Sequence, residues 1–137
     1  MLKKYFTIIL WNPILFKLNQ VLNDIPNIIE KKEIIIPKKK LHDIIFDIYK
    51  LDTRCTHHIV LPRKIKKFQE YNENHYLIKF RIDNPTFNNN LCKEAIQLKE
   101  KIRKKYKSNV TNYIRDIIIH VADNYEQSNY IWENYGL

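Results

Sequence analysis

The chain has 137 residues, 45% hydrophobic and 28% charged, which suits one folded domain around one core and excludes a disordered tail. Its formal net charge of +9 favours polyanionic partners: nucleotides, nucleic acid or phosphorylated surfaces. Gly136 is the only glycine, so the glycine-rich phosphate loops of Rossmann and P-loop proteins are excluded, and a phosphate site must use side chains and helix ends.

The longest apolar run, residues 6–18, is too short for a membrane span and is broken by Asn12, Pro13 and Lys17. It lacks a small-residue cleavage site, so it reads as a first strand and helix and not as a signal peptide. Cys55 and Cys92 have no metal-type spacing and suggest a reducing, cytoplasmic compartment.

Residues 4–10 place Phe6, Ile8 and Leu10 on one side and Tyr5, Thr7 and Ile9 on the other, as in a central strand. Asn12 is a good N-cap and Pro13 fits the first helical position, where its missing N–H costs nothing. Ile14, Leu15, Leu18, Val21 and Leu22 recur at helical spacing and predict a helix over 13–24, stopped by Pro26. A second strand, 27–36, is charged at residues 30–33, which places it near a sheet edge.

Pro37 opens a helix with Leu41, Ile44, Ile45 and Ile48 on one face. Residues 51–62 are the least regular and crowd Arg54, His57 and His58 together. Adjacent histidines do not match a helical zinc pair, and no metal site is expected there. A short helix over 63–68 and a turn at 72–74 lead to a strand over 75–82. That strand points Tyr76, Ile78, Phe80 and Ile82 inward and His75, Lys79 and Arg81 outward.

Asn88, Asn89 and Asn90 supply a cap for a helix through Leu91, Ala95, Leu98, Ile102 and Tyr106. Its other face carries Lys99, Lys101, Arg103, Lys104 and Lys105, a basic surface suited to RNA or another polyanion. A strand over 115–121 and a terminal helix over 124–134 complete the chain. The order predicts an α+β fold: a ferredoxin-like split β-α-β sandwich with a four-stranded antiparallel sheet, helices on one face and an extra C-terminal helix. It forms one domain over residues 1–137.

The last strand–helix junction concentrates the chemistry. His120 follows the block Ile117-Ile118-Ile119; Asp123 and Asn124, both favourable N-cap types, come next, and Asp123 is read as the cap of the terminal helix. The stretch His120-Val121-Ala122-Asp123-Asn124-Tyr125-Glu126 resembles the active-site motif of the nucleoside diphosphate kinase family, through its His120-x-x-Asp123-x-x-Glu126 spacing. Arg115-Asp116-Ile117-Ile118-Ile119 resembles that family's approach to its histidine, and Tyr49, Arg54 and His57 resemble its nucleotide-lid region. Leu10-Trp11-Asn12-Pro13 stands where the family has Lys-Pro-Asp, and Val121-Ala122 where it has Gly-Ser.

The resemblance implies ping-pong phosphoryl transfer through a phosphohistidine at His120, with Asp123 and Glu126 in support. Tyr49, Arg54, His57, Arg103 and Arg115 would bind the nucleotide, and Mg²⁺ would arrive with it. The expected partner is a nucleoside triphosphate or another phosphorylated small molecule, in a self-associating protein. Two other readings stay open. One is a non-catalytic nucleotide- or RNA-binding module using residues 99–105; the other is an assembly protein that keeps the fold for oligomerisation. On the catalytic reading, His120 points into a cleft and not into the core.

Overall fold

A computed structural model describes residues 2–55, 57–110 and 117–137. Its organising element is β1 (Phe6–Leu10), every residue of which is buried. Phe-Thr-Ile-Ile-Leu leaves no face suited to water, and the strand accordingly takes a neighbour on each side. β3 (Asn74–Phe80) pairs antiparallel on one side, with Ile8 opposite Ile78, and β6 (Ile119–Val121) antiparallel on the other, with Ile9 opposite His120. β2 (Ile28–Ile35) pairs antiparallel with β3 and completes a four-stranded sheet of order β2-β3-β1-β6.

The charged middle of β2 lies at the sheet edge, as its sequence predicts. Glu30, Lys31 and Glu33 are exposed there, and Glu30 meets Lys79 of β3 at 3.3 Å. Charged side chains on an edge strand discourage unwanted pairing with other chains.

Five α-helices are described: α1 (Leu18–Asn23), α2 (Leu41–Tyr49), α3 (His57–Phe68), α4 (Lys93–Tyr106) and α5 (Tyr125–Tyr135). The helix predicted over 13–24 is divided, because a 3-10 turn over Asn12–Lys17 precedes α1. Asn12 does not cap it. Its side-chain amide instead donates to Asn74 O and Asn74 Oδ1, both at 2.9 Å, and pins the end of β1 to the start of β3. α3 starts at His57, earlier than predicted, and runs through an exposed Pro62. Residues 88–90 do not cap α4 either. Asn89 (φ 52°) and Asn90 (φ 61°) form the left-handed turn between two short strands, β4 (Phe87–Asn88) and β5 (Leu91–Cys92). Asparagine tolerates that conformation better than other side-chain-bearing residues.

Helices cover both faces of the sheet, which corrects the one-face expectation. Trp11 packs on Tyr49 of α2 and Phe68 of α3, while Trp132 of α5 sits 4.6 Å from the Lys79 ammonium. These helices therefore cover the side that carries Ile9, Trp11, Leu77, Lys79 and His120. The opposite side chains, Phe6, Ile8, Leu10, Ile78 and Phe80, are equally buried. α4 is tied to β6 by Arg103, whose Nη2 donates to Ile119 O. Asp24 ties the end of α1 to α4 through Lys105 Nζ at 2.9 Å and Tyr106 Oη at 2.5 Å. The second layer arises because α2 and α3 are inserted between β2 and β3. It also buries His75, which the alternation had placed outward.

The α2–α3 layer is fastened to α5 by Asp47, whose carboxylate accepts from Tyr130 Oη at 2.5 Å and from Tyr135 Oη. Among the described residues, no helix is long and apolar enough to cross a membrane.

Candidate functional site

The strand predicted over 115–121 is described from Ile117 onward, with β6 at Ile119–Val121; Arg115 and Asp116 lie outside the described residues. Asn124, extended at φ −153°, caps α5 by accepting from Gln127 N at 2.7 Å. The cap is thus Asn124, and Asp123 has another task. Its Oδ1 accepts from the Gln127 side-chain amide at 3.5 Å, while Gln127 Oε1 lies 2.7 Å from His120 Nε2. A carboxylate only accepts, so the amide nitrogen faces Asp123 and the amide oxygen faces His120. His120 Nε2 therefore carries the hydrogen, and Nδ1 keeps the lone pair. Among the described residues no hydrogen bond reaches Nδ1.

His120 is 2% exposed, its ring packed against Tyr49 at 4.4 Å between centroids. It does not open into a cleft, because the α2–α3 layer lies over it. Burial, then the charges of Lys99 and Lys64, push its pKa well below 6.5, while the Gln127 bond opposes them in part. The imidazole is neutral at physiological pH, the form in which histidine is a nucleophile.

Cations gather around this ring. Lys99 and Arg103 of α4 are both buried, although the sequence placed them on a solvated face. Burial, then repulsion from Arg103 and Arg54, lowers the Lys99 pKa, with Asp52 and Asp123 opposing. Burial and the neighbouring Asp52 raise the pKa of Asp123. Lys64 of α3 is wholly buried, with its ammonium 5.0 Å from the Trp11 ring, 5.1 Å from Tyr49 and 5.5 Å from Phe68.

The structure thus brings together His120, Asp123, Tyr49, Arg103 and, through its effect on Lys99, Arg54. Arg54 is exposed, and its backbone N–H donates to Asp52 Oδ1 at 2.9 Å. His57 joins at one remove, its Nε2 2.5 Å from Tyr49 O. Glu126 is not part of the group. It is exposed and lines a separate groove with Leu2, Phe87, Asn90 and Tyr125, because one helical step turns it away from the ring that Gln127 faces. The sequence reading missed Gln127 and Lys64. Lys64 had a visible signal: it interrupts the apolar stripe Leu61–Phe68 of α3 at helical spacing.

The basic face of α4 is smaller than the sequence suggested. Lys99 and Arg103 turn inward and Lys105 is tied to Asp24, which leaves Lys101 and Lys104 of that set exposed without such a tie among the described residues. Among the described residues no group of three or more His, Cys, Asp or Glu could hold a metal ion. The chain matches no protein-family model, and no curated protein matches its sequence.

Proposed function

We propose that this chain is a phosphotransferase similar to nucleoside diphosphate kinase, built on a ferredoxin-like split β-α-β sandwich. The sheet order β2-β3-β1-β6, with crossovers from β1 to β2 and from β3 to β6, supports that fold. The observation that carries the function is the Gln127–His120 hydrogen bond, which leaves a neutral imidazole near Lys64, Lys99 and Arg103 with no hydrogen bond to Nδ1 among the described residues.

In the proposed step, Nδ1 attacks the terminal phosphorus of a nucleoside triphosphate. The N–P bond forms, and the P–O bond to the β-phosphate breaks, its electron pair leaving on the diphosphate. Nε2–H stays bonded to Gln127 throughout, so no proton moves. A second diphosphate takes the phosphoryl group by the reverse reaction. Mg²⁺ rides on the triphosphate, where it neutralises phosphate charge.

Exchange of the terminal phosphate between ATP and GDP tests the reading. Ping-pong kinetics that vanish in His120→Ala support it; an ATP–GDP mixture unchanged by the wild-type chain overturns it. The 2% exposure of His120, with Trp11 filling the end of β1, favours a second reading: a nucleotide-binding module without chemistry. That module would bind ATP equally well in the wild type and in His120→Ala, with no exchange in either.

A further inference from the structure

We propose that the outer edge of β2 is a self-association surface: it pairs antiparallel with β2 of a second copy of this chain, in a register centred on Lys32, and joins the two sheets into one. The proposal is independent of the phosphotransferase reading.

β2 is the end strand of the order β2-β3-β1-β6, so among the described residues no strand lies against its outer edge. Its eight residues make it the longest described strand, and a long edge presents a row of backbone N–H and C=O groups ready to pair. Ile29 and Ile35, near its two ends, are 49% and 58% exposed, where a strand meant only for water would carry polar side chains.

The sequence Ile-Ile-Glu-Lys-Lys-Glu-Ile-Ile over residues 28–35 reads the same in both directions, so a reversed copy presents the same pattern. A two-fold axis normal to the sheet keeps every side chain on its own face, so residues that meet across it are an even number of positions apart. That rule excludes setting Lys31 against Lys32 and Glu30 against Glu33. An axis at Lys32 sets Lys31 against Glu33 and Ile29 against Ile35, each twice. Opposite charges and apolar pairs placed directly across strands stabilise a sheet. Lys32 meets its own copy at the axis, with Glu30 of the other strand diagonal to it. An axis at Lys31 would instead set Ile29 against Glu33. Within its own chain Lys31 stands opposite Ile78 and forms no ion pair among the described residues, while Glu33 meets only the Asn74 amide, at 3.3 Å. The second copy supplies the charge that each lacks. The same charges that discourage pairing with other edges therefore admit this one.

Sedimentation velocity of the full chain over a dilution series tests the surface, and a monomer–dimer equilibrium is expected. Lys31→Glu sets carboxylate against carboxylate and should return a monomer at concentrations where the wild type is dimeric. The double variant Lys31→Glu/Glu33→Lys exchanges the two charges and should recover the dimer. Both positions are exposed, and circular dichroism checks that each variant is folded. Cysteine pairing tests the register. In a glutathione buffer Lys32→Cys should form an intermolecular disulfide, because directly opposed strand residues are about 4.5–5.5 Å apart between Cα atoms. Lys31→Cys, two positions from its copy, should not. A wild-type chain monomeric throughout, a dimer that persists in Lys31→Glu, no bridge in Lys32→Cys beyond that of the wild type, or a bridge through Lys31→Cys in its place overturns the proposal.

Discussion

Gln127 Oε1 lies 2.7 Å from His120 Nε2, and this contact across the β6–α5 junction leaves the imidazole lone pair on Nδ1. Removing it in Gln127→Ala leaves a buried N–H unpaired, with an expected stability loss of about 1–3 kcal/mol by urea unfolding. The ring then turns freely, and the phosphorylation rate should drop roughly 10²-fold as aim is lost. Gln127→Glu should act differently. A carboxylate at that point favours imidazolium, so ¹⁵N NMR should find the His120 titration moved upward. An unchanged rate in Gln127→Ala would remove Gln127 from the mechanism.

Two buried histidines set the response to acid. His75 is held at a pKa of about 4, by burial first and then by the Lys64 charge, and His120 is also held well below 6.5. Below pH 6.5 the unfolded chain takes up protons that the native state refuses, so stability falls with falling pH and is insensitive to these groups above about pH 7. His75 alone should cost about 2 kcal/mol between pH 7 and pH 5. Urea midpoints at pH 7, 6 and 5 should fall steadily, with a shallower decline in His75→Gln. A flat profile would contradict the assigned environments.

Asp47 fastens α2 to α5 through Tyr130 and Tyr135. Burial pushes its pKa up, but the bonds from both tyrosines and Lys50 outweigh that and hold it below the usual carboxylate range. Tyr130→Phe and Tyr135→Phe should each cost about 1–2 kcal/mol in chemical unfolding, and the double variant should depart from additivity because both bonds share one acceptor. Strict additivity would mean the two contacts act separately.

Gly136 closes α5 against its own tryptophan. A methyl group built there would stand 2.6 Å from Trp132 Cδ2. Gly136→Ala should force the indole off Lys79 and lower stability by about 1–3 kcal/mol, with a changed tryptophan emission. Wild-type emission and stability would show that the helix end yields instead.

The sequence made the sheet legible because the strands carry strong local patterns: the doubly apolar β1, the charged middle of β2 and the alternation of β3. Its errors have a common physical cause. Side chains assigned to local capping, Asn12 and Asp123, are taken by partners distant in sequence or around the next turn, which a local rule does not see. The outward assignment of His75 failed because alternation reveals two faces but not that the second is covered. His120 was found from its junction with α5. Its hydrogen-bond partner, Gln127, was not singled out, because spacing alone does not fix which side of the first helical turn faces the ring.

The central claim is that His120 Nδ1 takes a phosphoryl group while Gln127 holds Nε2–H. Its most direct test is ³¹P and ¹⁵N NMR of the chain after incubation with ATP and Mg²⁺, unfolded in alkaline urea to preserve the N–P bond. The account predicts phosphohistidine on Nδ1 of His120 in the wild type and none in His120→Ala. Phosphate on Nε2, or no phosphohistidine at saturating ATP, would contradict it.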